Sequence, residues 1–93
     1  MDTDQLLELL KLKLGISTTL RDKPLKKILD AVISELTQTF GVELDSNRAD
    51  HEMFVVDFAA YRYEGGVDMP RHLQWRLHNL QISASQEDKD VES

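Results

Sequence analysis

Few residues in this chain have the type and spacing that chemistry needs. Cysteine is absent, which removes thiolate nucleophiles, disulfides and cysteine-based zinc sites at once. Of the three histidines, His51 lies in "DHE", Asp50 to Glu52, where ligand-type side chains cluster. A zinc-binding helix also needs a second histidine at the fourth position along, and Val55 stands there instead. Helix capping and surface charge account for the tripeptide. His72 and His78 would be turned about 120° from one another on a helix, so one metal ion could not take both without outside ligands. Gly65-Gly66 lacks the lysine and helix of a phosphate-binding loop, and a flexible turn suffices for it. No nucleophile stands with a base at usable spacing, so an enzyme is not expected, nor is a cofactor or a metal.

Asp57 is the carboxylate that demands an explanation. It interrupts the apolar run "FVVDFAAYRY", where an unpaired charge would be costly to bury. The expectation is a structural pair or hydrogen bond with Arg62, Arg76 or a tyrosine hydroxyl. A catalytic role would require companions that the sequence does not supply.

A second concentration of chemistry is "MPRHLQWRLHNL", Met69 to Leu80, which holds the only tryptophan, two arginines and two histidines, without one acid. At about 100° per residue, Leu73, Leu77 and Leu80 form one stripe. Trp75 projects roughly opposite, beside Arg71, His78 and Ile82, so the segment has two adhesive faces. An exposed tryptophan flanked by arginine has the composition of an interface anchor. Arg71, Trp75, Arg76, His78 and Ile82 are therefore the candidate interface residues. Two other readings stay open: the loop "ISTTLRDK" or the C-terminal tail covers Trp75 as part of a small core, or the helix contacts nucleic acid.

The elements that must position these groups read as helices. In "DQLLELLKLKL", Leu7, Leu10 and Leu14 make a stripe that Leu6 and Leu9 widen, with acids before it, lysines at its end and Gly15 as its cap. After a polar connector, Pro24 suits a first helical turn. Leu25, Ile28, Leu29, Val32, Leu36 and Phe40 then follow amphipathic spacing up to Gly41. "VELDSNRAD" reads as a loop rich in capping residues. From Met53 to Tyr63 apolar side chains fall on nearly every face, the mark of a central helix covered by its neighbours; the β-branched and aromatic content also allows a buried strand, but no partner strand is found elsewhere. Gly65-Gly66 ends it, and Pro70 starts a fourth helix reaching about Ile82. The last residues, "SASQEDKDVES", carry too little apolar surface to offset the entropy of ordering. The expected fold is all-α: a small bundle of about four helices in one domain, residues 1–82, with an acidic disordered tail, residues 83–93.

The bulk numbers bound the function. At 93 residues there is room for one small core, and oligomerisation is the usual support for such a core when disulfides are absent. The start of the chain lacks a basic signal-peptide region, and no apolar run has membrane-spanning length, which points to an intracellular origin without membrane contact. A net charge of −6 opposes a chief role in gripping nucleic acid, which depends on clustered Lys and Arg. The charge is uneven: Asp2, Asp4 and Glu8 crowd one end and Glu87, Asp88, Asp90 and Glu92 the other. Lys11, Lys13, Lys23, Lys26 and Lys27 form a basic middle, and solvated helix faces explain most of this.

In its order of helices, and most specifically in "DFAAYRYEGG" and "MPRHLQWRLHNL", the chain resembles the small head-tail connector (adaptor) proteins of tailed bacteriophages and prophages. The resemblance covers roughly residues 4–82. It implies an all-α, non-enzymatic structural protein of virion assembly, acting in the virion and in the bacterial host cytoplasm while particles are built. Such adaptors form a homo-oligomeric ring, commonly dodecameric, of about twelve copies. The ring lies beneath the portal protein, meets a tail-side completion protein and extends the DNA channel, so that DNA is passing cargo. The resemblance carries the portal-proximal or intersubunit role onto Arg71, Trp75, Arg76 and His78. The acidic balance is compatible, because a conduit should not hold DNA tightly. The alternative is a small helical DNA-binding regulator in which the second or fourth helix enters the major groove.

Overall fold

The computed structural model describes residues 1–82 in full and, beyond them, only the backbone span of the last helix. The disordered tail expected over 83–93 lies outside the described residues. Among the described residues the chain is all-α, with four helices and no strand.

Helix α1, Thr3–Leu14, is fixed at both ends by local chemistry. The Asp2 carboxylate accepts the Asp4 backbone N–H at 3.0 Å, satisfying a donor that the first turn leaves open. At the other end Gly15 adopts φ 73°, a left-handed conformation natural to glycine, and the N–H groups of Gly15 and Ile16 close on the carbonyls of Leu12 and Lys11. The buried face centres on Leu6 and Leu10, with Leu7 beside them, while Leu14 and Leu9 are only partly covered. The stripe is thus rotated slightly from the Leu7, Leu10, Leu14 line read from spacing.

Helix α2, Asp22–Ser34, begins two residues before Pro24, which therefore occupies the first turn where no intrahelical N–H is needed. Leu25, Leu29 and Val32 are buried. The helix then widens into a π-helical stretch, Glu35–Thr39, with the Phe40 N–H reaching the Glu35 carbonyl. The Thr37 hydroxyl donates to the carbonyls of Ile33 at 2.9 Å and Ser34 at 3.2 Å, a back-bond that competes with regular helix pairing and favours such a bulge.

Helix α3, Ala49–Tyr63, is the axis of the molecule. Phe54, Val55, Val56, Phe58, Ala59 and Ala60 are all buried, because α1 and α2 pack on it from one side and α4 from another. The expectation of a helix apolar on nearly every face and covered by neighbours is met. Its start lies at Ala49, earlier than the apolar run, and Arg48 at the cap position makes no side-chain capping bond. The final helix, α4, spans Arg71–Glu92 and lays Leu73, Leu77 and Leu80 against the core.

Candidate interaction surface

Two short turns aim α4. At Gly66 a Cβ would run into the Tyr61 ring, so any side chain there would force that ring aside. The Pro70 carbonyl then accepts the N–H groups of Leu73 and Gln74, and the Gln74 side chain donates to the Met69 carbonyl at 2.7 Å. Farther along, the Gln81 side chain donates to the Phe40 carbonyl at 2.9 Å, pinning α4 to the end of the π-helical stretch.

With Leu73, Leu77 and Leu80 facing inward, the opposite side of α4 faces solvent. Trp75 is 66% exposed and Ile82 39%, and Arg71, His72 and His78 are exposed around them. The Trp75 and His78 rings sit 6.1 Å apart, tilted by 35°. The connector expected as one possible cover lies elsewhere: its own Leu20 is 87% exposed, and the neighbouring Arg21 guanidinium donates to the Tyr63 hydroxyl at the end of α3. No described residue buries the Trp75 ring. Of the five candidate interface residues, Arg71, Trp75, His78 and Ile82 share the open face, whereas Arg76 is half-buried and turned toward α3.

Arg76 serves Asp57. Its guanidinium donates to one carboxylate oxygen at 2.5 Å and lies over the Phe54 ring, 5.4 Å from the centroid. Lys13, from the last turn of α1, approaches the other oxygen at 3.0 Å. Arg76 was among the partners expected from sequence. Lys13 was not, and Arg62 is engaged with both Glu35 oxygens at 3.0 Å instead. Partial burial pushes the Asp57 carboxyl up, but hydrogen bonds and charge from Arg76 and Lys13 outweigh it and hold the pKa below the ordinary aspartate value. A carboxylate kept ionised by two cations is a poor proton acceptor at neutral pH. The arrangement suits a clamp joining α1, α3 and α4.

Beside this clamp is an open cavity of about 630 Å³, lined by Lys13, Asp57, Tyr61, Glu64, His72 and Arg76 among others. Its cations are committed to Asp57. No group of three metal-ligating side chains occurs among the described residues. The "DHE" segment divides: Asp50 accepts from Arg48 and from the His51 N–H, as a first-turn acid does. His51 itself is buried, contrary to a surface-charge reading of the whole tripeptide, and its Nδ1 accepts the Asp45 N–H at 3.0 Å. That bond requires an unprotonated Nδ1 and ties the preceding loop to α3.

One feature escaped the sequence reading. Glu8, Lys11, Leu12 and Ile16 line a groove of about 340 Å³ on α1 and the turn that follows it. Leu12 is 79% exposed there. The available signal was that Leu12 falls off the leucine stripe of its own helix. Among the described residues no helix is long and apolar enough to cross a membrane. Comparison with known protein families, with curated proteins and with solved structures finds no match to this chain.

Proposed function

We propose that this chain is a non-enzymatic assembly protein, a head-tail connector that forms an oligomeric ring between portal and tail and extends the DNA channel. The observation that carries the reading is the outward face of α4: a 66% exposed tryptophan with arginine, histidine and isoleucine, held on one helix with no covering residue among those described. Exposed apolar surface of this kind, rimmed by polar groups, marks protein contact. The connector-like segments "DFAAYRYEGG" and "MPRHLQWRLHNL" direct the reading toward virion assembly, since the second of them forms that face. The partners are sister copies, the portal protein and a tail-side completion protein, with DNA passing through. A net charge of −6 fits a channel that must release DNA.

The test is native mass spectrometry and electron microscopy of the chain with and without the portal protein of its particle. Rings or portal-bound copies are expected. A stable monomer that ignores the portal defeats the proposal.

A further inference from the structure

Two exposed apolar features stand on helices that both pack against α3. On α4 the feature is a knob, Trp75, with Ile82 about two turns farther along the same face. On α1 it is the groove lined by Glu8, Leu12 and Ile16. Glu8 and Leu12 lie roughly 180° around α1 from the buried Leu6 and Leu10, and Trp75 stands in the same relation to Leu73, Leu77 and Leu80. Each feature therefore points away from its own core, and the knob of one chain does not reach the groove of the same chain.

We infer that the two fit each other between copies: Trp75 of one chain seats against Leu12 and Ile16 of a second copy, with Arg71 directed to Glu8. This rests on the assembly reading above and names the contact that would build the assembly. Apolar exposure and charge both support a second copy as occupant. The groove is shallow and open, so the flat face of an indole can lie across Leu12 and Ile16. Its cation is already taken, because Lys11 is paired with Asp22 at 2.8 Å, so Glu8 is the groove's uncommitted charge. The α4 face is its complement, with Arg71, His72 and His78 and no acid between Met69 and Ile82. Because knob and groove are different surfaces, every bound pair leaves one knob and one groove unfilled. Such a heterologous contact propagates and closes into a ring when its rotation permits.

This geometry can be tested with two surface variants of the full chain, Trp75→Asp and Leu12→Asp. Both positions are exposed, so circular dichroism should show both variants folded. In sedimentation across a range of concentrations the wild type self-associates and each variant alone is monomeric. An equimolar mixture forms a one-to-one heterodimer that grows no further, because each variant retains one intact surface. Arg71→Glu and Glu8→Arg each weaken association by about tenfold or more, and combining them in one chain restores it. Variants that assemble like the wild type, or a mixture that forms no heterodimer, overturn the knob-and-groove contact. Portal capture is followed in parallel. If Trp75→Asp abolishes portal capture and leaves self-association intact, the knob belongs to the portal, which overturns this inference and leaves the connector reading standing. A wild type that neither self-associates nor binds portal overturns both.

Discussion

Helices α3 and α4 meet along one seam and otherwise live in different surroundings. On α3 the apolar side chains on nearly every face are covered, and the one acid among them, Asp57, is neutralised by Arg76 and Lys13 from two other helices. On α4, Leu73, Leu77 and Leu80 are buried and the rest of the first three turns is largely in solvent, Trp75 included. Folding of one chain explains every apolar residue buried on α3. It leaves the outward face of α4 without an intramolecular purpose. Composition alone would not separate them, since both segments combine aromatics with arginine.

If α3 is the axis, removing bulk from its centre should cost the most. Phe58 is fully buried, packs near Phe54 with centroids 6.2 Å apart, and lies under the Arg62 guanidinium. Phe58→Ala should destabilise the fold by about 3 to 5 kcal/mol, enough to unfold most of the protein, read by urea denaturation with circular dichroism. Leu77→Ala touches the seam instead and should cost about 2 to 3 kcal/mol. Amide hydrogen exchange should then accelerate in α4 more than in α1 or α2. Equal acceleration everywhere would mean that the four helices unfold as one unit and that the contrast has no energetic counterpart.

The Asp57 clamp tests the comparison from its polar side. Asp57→Ala leaves Arg76 and Lys13 facing each other without their anion, but both cations retain access to water, so a loss of about 1 to 2 kcal/mol is expected rather than the larger cost of a fully buried pair. The pH dependence follows from the depressed carboxyl pKa. Wild-type stability gains from Asp57 at neutral pH, and this gain is lost as pH falls from about 3.9, the unfolded value, through the lower folded value. The Asp57→Ala variant should lack that component, so the two denaturation midpoints should converge below about pH 4.

How much of this was legible in the sequence depends on the range of the forces involved. Leucine spacing gave α1, α2 and α4 and an apolar run on nearly every face gave α3, while Gly15, Pro24 and Gly41 marked ends, because periodicity and capping act within a turn or two of the chain. Longer-range relations were not legible. Arg76 was one of several partners offered for Asp57, and Lys13 was missed, because pairing across helices depends on how α1 is rotated against α3. The π-helical stretch goes with a back-bond from the Thr37 hydroxyl to carbonyls of its own helix, a choice that spacing does not reveal. His51 looked like surface charge because nothing local shows that the loop before α3 will bond to its ring. The α4 face was legible for the opposite reason, since one helix's angular arithmetic suffices to find it.

The smallest expected effect on stability is the sharpest use of the contrast. Trp75→Ala removes the largest side chain on α4 from a site that is already 66% exposed, where its indole touches little besides His78. Folding stability should therefore change by no more than about 0.5 kcal/mol, as for surface positions generally. A tryptophan held by hidden packing would instead cost about 3 kcal/mol or more when truncated. Thermal melting of the dilute, unassembled protein separates the two outcomes, since dilution removes any contribution from sister copies. If the melt is unchanged when dilute but falls relative to wild type as concentration rises, the energy of Trp75 resides in contacts between chains. A large loss at every concentration would place Trp75 in the core of its own chain and erase the distinction between the two faces of α4.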